Sequence, residues 1–148
     1  MTPALNSLLA RGAVVALVAG GAIVGSVELG SAAPVSATHT LRFTTVQIAD
    51  HMSGYYDIAA NKDLQNGKVV GYDVTDCFIN VNTHVANCVI NVARPEGTIR
   101  GTATLNLDSG VGTGVITGGT RDYRGVTGTV AAKALSQTKT AVTLTYHS

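Results

Sequence analysis

What most constrains the fold of this 148-residue chain is a rhythm. From Thr40 onward, short runs rich in Val, Thr and Ile recur at near-regular spacing, with no helical period between them. They are Thr40 to Ala49, Tyr55 to Asn61, Lys68 to Asn80, Val85 to Ala93, Thr98 to Leu107, Val111 to Thr117, Gly125 to Leu135 and Thr138 to Tyr146. Branched side chains lose rotamers in a helix and pack well on a pleated surface, so these runs predict strands. Turn signals stand between them: Gln65-Asn66-Gly67, Arg94-Pro95-Glu96-Gly97 and Asp108-Ser109-Gly110. Eight strands joined this tightly predict an antiparallel meander. An open sheet that wide would leave two edges free to recruit other chains, so a closed barrel or a sandwich is expected.

Parity along one strand shows how the interior would be built. In Thr98 to Leu107, Ile99, Gly101, Ala103, Leu105 and Leu107 face one way, and Thr98, Arg100, Thr102, Thr104 and Asn106 the other. The apolar set should point inward. Small residues at 101 and 103 either leave room inside a barrel or fit the taper of a filled one.

Residues 1–37 have the character of a secretory signal. Arg11 precedes an uncharged apolar stretch, Ala13 to Val27, and Val35-Ser36-Ala37 offers the small residues a signal peptidase reads. Cleavage after Ala33 would place Pro34 directly past the scissile bond, so Ala37 is the expected site. A retained anchor is the competing reading, against which the stretch is short and broken by Gly20, Gly21 and Gly25. Cleavage leaves 38–148 as one domain with nine basic and eight acidic residues. Scattered charges so near balance exclude nucleic acid as a partner and give no basis for stable membrane association after cleavage.

Cys77 and Cys88 are the only cysteines, and in an exported chain two cysteines predict a disulfide. A reversal centred on Asn82-Thr83 sets them opposite each other. A two-residue loop would make them a hydrogen-bonded pair; a four-residue loop, Val81 to His84, would make them a non-hydrogen-bonded pair, where α-carbons approach more closely, and is preferred for that reason. A redox or metal role is disfavoured, because the spacing is not Cys-x-x-Cys and no third thiolate exists.

One segment narrows the fold further. Val115-Ile116-Thr117-Gly118-Gly119-Thr120-Arg121-Asp122-Tyr123-Arg124-Gly125-Val126-Thr127-Gly128-Thr129 is a strand, a glycine-marked corner and a second strand. It resembles the Gly-Gly-Thr-Gly-x-(Tyr/Phe)-x-x-Ala-x-Gly signature of the allene oxide cyclase-like barrels, the superfamily that includes dirigent proteins. Arg121 stands at the glycine in the signature's fourth position, and Val126 and Thr127 stand where the family has Ala and Arg. Asp63-Leu64, Gly67-Lys68-Val69-Val70-Gly71, Cys77, Cys88 and Pro95-Glu96-Gly97-Thr98-Ile99 follow the order found in bacterial members. The resemblance covers Thr40 to the C-terminus. It implies an all-β, eight-stranded antiparallel up-and-down barrel, calycin-like, over 38–148.

Function follows from the resemblance alone. Such barrels confine a reactive, apolar small molecule and steer its cyclisation, isomerisation or stereoselective coupling, with no cofactor. Dimers and trimers are common among them. Confinement and water exclusion suffice where the reaction runs downhill, and a buried carboxylate gains a raised pKa suited to proton transfer. The pockets of dirigent proteins use acidic, arginine and tyrosine groups. Asp63 is the acid that the resemblance carries over, with a plain turn role beside Asn66-Gly67 as the alternative. Asp73 and Asp76 lie on opposite faces of one strand, and Asp73 is the preferred inward acid. Candidate ligand contacts are Tyr56, Tyr72, Asn91, Arg121 and Tyr123. Histidines 39, 51, 84 and 147 sit at termini or in loops, and no metal-ligand spacing joins them. A non-catalytic carrier or interaction module of the same fold competes with the enzyme reading, and an adhesive β-sandwich is a third.

Overall fold

The computed structural model describes residues 36–148, so all but the last two positions of the expected signal segment lie outside the described residues. The strands are β1 (Thr38–Ser53), β2 (Tyr56–Gln65), β3 (Lys68–Asn80), β4 (Val85–Arg94), β5 (Gly97–Asn106), β6 (Val111–Gly119), β7 (Thr127–Ser136) and β8 (Lys139–His147). Each pairs antiparallel with its neighbour in sequence, and β8 returns to β1, closing the barrel. Closure satisfies every strand edge, so the edge problem is solved by rolling the sheet and not by stacking two layers. All eight expected strands are present, with ends shifted by a few residues.

Local chemistry sets the turns. Gln65 pairs with Lys68 across a two-residue turn in which Asn66 and Gly67 both take positive φ, 51° and 76°. The β3–β4 loop is the four-residue one, Val81 to His84. It sets Cys77 against Cys88 with α-carbons 4.0 Å apart, and the two form a disulfide.

The two ends of the barrel differ. At the end holding the start of β1 and the end of β8, a 3-10 turn over Arg121–Tyr123 closes the opening. Tyr123 packs edge-to-face on Tyr146, with ring centroids 5.7 Å apart. Beside them Phe43, Val92, Ile99, Ile116, Val126, Val130 and Leu144 form the buried core. At the other end, where β1–β2, β3–β4, β5–β6 and β7–β8 turn, the interior stays hollow.

The two small residues of β5 have different causes. A side chain at Gly101 would meet the Val115 carbonyl at 2.6 Å, so this glycine permits close approach of β6 beside a bulge. Ala103 faces the hollow. One serves strand packing and the other leaves space.

Candidate functional site

The hollow is a cavity of about 240 Å³. For scale, an apolar cavity of about 150 Å³ accepts benzene, so this one suits a molecule of one or two fused rings. Its wall is apolar for most of its extent, with Ile90, Ala103, Leu105, Ala132 and Val142 among its members and the Cys77–Cys88 bridge set into it. Among the described residues, no cluster of His, Cys, Asp and Glu could hold a metal ion.

The polar groups come chiefly from β2 and β3. Along β2, Asp57, Ala59, Asn61 and Asp63 alternate inward, and across from them stand Cys77, Thr75, Asp73 and Gly71. The rows descend from the mouth to the floor. Asp57 lies near the mouth, where burial and then the nearby Asp50 push its carboxyl above the ordinary carboxylate range. Deeper, Asn61 Nδ2 donates to Asp73 Oδ1 at 2.7 Å, both residues being buried. On the adjoining wall Thr45 Oγ1 donates to the Thr140 carbonyl at 3.4 Å.

Asp63 forms the deepest row and is completely inaccessible. Gly71 makes its position possible. A side chain there would press on the Ala93 carbonyl at 2.5 Å and on Asp63 Oδ2 at 3.2 Å. Burial, reinforced by a hydrogen bond and like charge from Asp73, raises the Asp63 pKa to about 8, while Arg94 pulls it down. With both groups ionised, the two Asp63 oxygens and Asp73 Oδ2 are buried with no donor to accept from. Two carboxylates are acceptors only and cannot satisfy each other; with one proton between them they can. Asp63 therefore keeps its proton at neutral pH and forms an acid pair with Asp73. Arg94 completes the floor, its guanidinium 5.4 Å from the centre of the Phe43 ring, with one terminal nitrogen buried and unpaired.

Of the residues singled out in the sequence, Asp73 lines the cavity and Asp63 lies immediately beneath it. Asp63 belongs to β2 and not to the turn. Tyr56, Tyr72 and Asn91 are on the outer wall, because their neighbours Asp57, Asp73 and Val92 take the inward positions. Tyr56 packs outside against Phe78, its cross-strand partner, with ring planes tilted by 59° and centroids 5.4 Å apart. Tyr123 is buried in the floor and has no surface on the cavity. Burial and then Glu96 raise its pKa. Arg121 is exposed at the closed end, with φ of 53°, and so keeps the left-handed backbone that glycine favours. It does not reach the mouth.

Asn61, Asp57 and Arg94 are the functional candidates that sequence reasoning misses. Asn61 and Asp57 share the parity of Asp63, and Arg94 shares that of Cys88 and Val92, so alternation carries the signal. Arg94 also opens a Pro-Gly turn motif, which masks its role as the last inward residue of β4.

No family model and no curated protein matches the chain. Solved structures share its fold. A pyocyanin demethylase superposes with a TM-score of 0.61 at 23% identity, over 74% of this chain and 99% of that one. A Diels-Alderase from Streptomyces koyangensis gives 0.59 at 9% identity, over 78% and 70%. A pterocarpan synthase dirigent protein gives 0.55 at 17% identity, over 76% and 84%.

Proposed function

We propose that this chain, whose fold is that of the allene oxide cyclase-like and dirigent-like barrels, holds an apolar small molecule in its hollow half and guides a cyclisation, isomerisation or stereoselective coupling. The observation that carries the reading is the proton-holding acid pair, Asp63 and Asp73, at the floor of an otherwise apolar cavity. A ring system seated there is dry and held in few orientations, and Asp73 stands where a proton can be given or taken. Asp63 acts through Asp73 as the proton store. Asn61 orients the Asp73 carboxyl. The neighbours' names, which include cycloaddition and dirigent coupling, are in keeping with chemistry of this class.

Export belongs to the same reading and is supported by the disulfide, which an oxidising compartment preserves. A mature N-terminus at Thr38, read from the intact mass of protein in the medium, would test it. Self-association also belongs to it. Ile58, Val74, Phe78 and Val89 are exposed on the outer wall of β2–β4, an apolar strip that a second copy would cover. Light scattering on the purified chain checks this.

A carrier role without chemistry is favoured by one observation, the absence of any Asp63 surface in the cavity. One reagent separates the two. In 5-nitrobenzisoxazole a base removes a single ring C–H proton, the electron pair forms a nitrile and the N–O bond breaks to a phenolate. We expect saturable turnover that rises through about pH 8, as Asp63 loses its proton, and that is lost in Asp73→Asn. Turnover no faster than with free acetate would leave the carrier reading.

A further inference from the structure

The charges around the cavity are one-sided. Among the described residues, its wall contains two titratable side chains, Asp57 and Asp73, and no lysine, arginine or histidine. They occupy different depths. Asp73 pairs with Asn61, four residues along β2 from Asp57, which places the two carboxyls roughly 13 Å apart along the strand. Asp50 adds a further acid beside Asp57. Arg94, the cation that acts on Asp63, is not part of the wall, and its guanidinium lies against the Phe43 ring. Arg94 offsets the single negative charge that Asp63 and Asp73 carry with one proton between them, and it presents no donor to a guest. The uncompensated negative charge thus lies toward the mouth, at Asp57 and Asp50. A guest therefore meets two carboxyls and the neutral polar groups of Gln47, Gln137 and the wall threonines, with no cation among the described wall residues.

We propose that the molecule this cavity selects is a flat, one- or two-ring compound carrying positive charge, such as an N-alkylated heteroaromatic or a protonated ring amine, with the cationic part seated between Asp73 and Asp57. The inference rests on the ligand-binding reading above and narrows its substrate class. A carboxylic acid of the same shape is excluded by the same features. Its charge would be desolvated beside two carboxyls with no cation to receive it. A neutral ring system lies between these extremes, since it gains from the apolar wall and is indifferent to the charge. Asn61 does not reverse the preference, because its amide nitrogen is engaged by Asp73.

The test compares three shape-matched probes on the disulfide-intact protein at pH 7 and low salt: 1-methylquinolinium, 1-methylnaphthalene and 1-naphthoate, titrated by ligand-observed NMR. We expect the cation to bind about fivefold or more tighter than the neutral probe, the scale left to a nearby carboxylate after desolvation. The anion should bind about tenfold or more weaker than the neutral probe by the same reasoning. In Asp57→Asn/Asp73→Asn the spread between cation and anion should fall below about threefold, and in Asp57→Asn alone it should shrink in part. The single variant serves if the double one does not fold. Binding of 1-methylnaphthalene with no preference for the cation would overturn the charge inference and leave the ligand-binding reading standing. Failure of all three probes to bind would overturn both.

Discussion

The closed end and the open end of this barrel are made from the same strands with the same alternation, yet one is packed and the other hollow. At the closed end the inward positions hold large side chains, Phe43, Ile99, Ile116, Leu144 and Tyr146. At the open end strands β2, β5, β6 and β7 offer Ala59, Ala103, Gly112 and Ala132. Residue volume, and not topology, decides where the interior is filled. Stability is concentrated at one end and space for a guest at the other, with the Asp63–Asp73 pair where they meet.

The largest effect expected from breaking this division is at the closed end. Ile99→Ala removes a side chain that is 2% exposed, and chemical denaturation should show a loss of about 2–5 kcal/mol. Next is the bridge in the wall of the hollow. Removing it as Cys77→Ala/Cys88→Ala should lower stability by roughly 2–3 kcal/mol, as a tether across a short loop does. An unchanged melting temperature would show that the open end needs no brace.

The acid pair at the boundary gives an effect with a defined sign. Asp63 holds its proton in the folded barrel up to about pH 8, whereas an unfolded carboxyl releases it near pH 4. Between these values the native state binds more protons, so stability falls as pH rises and levels off above about pH 8. Asp63→Asn should flatten that decline, and the variant should melt several degrees above the parent at pH 8.5, where roughly 1 kcal/mol corresponds to 4–8 °C. Parallel curves for the two proteins across pH 4 to 9 would remove the shared proton from the account. The smallest effect on stability is expected in the hollow. Ala103→Leu adds volume where space exists and should change stability by less than about 1.5 kcal/mol. It should nonetheless abolish binding of 1-methylnaphthalene.

The sequence carries the strands, the turns and the disulfide plainly, because each depends on neighbours within about a dozen positions. Asn66-Gly67 dictates its turn, and the Val81–His84 loop brings Cys77 to Cys88. It carries the site less well. Alternation groups Asp73 with Cys77 and separates it from Tyr72, but only closure of the barrel fixes which group faces inward. Tyr56, Tyr72 and Asn91 lie on the outer wall for this reason. The pairing of Asp63 with Asp73, and the place of Arg94 beneath them, join β2, β3 and β4 across the floor, and no local pattern encodes a contact of that kind.

The central claim is that the open half of the barrel is kept empty for a guest. Anomalous diffraction from a crystal soaked in 5-bromoindole tests it most directly. We expect a bromine peak inside the barrel, between the Cys77–Cys88 bridge and Asp73. Bromine found only on the outer wall, with side chains filling the interior from Tyr123 to the mouth, would contradict it.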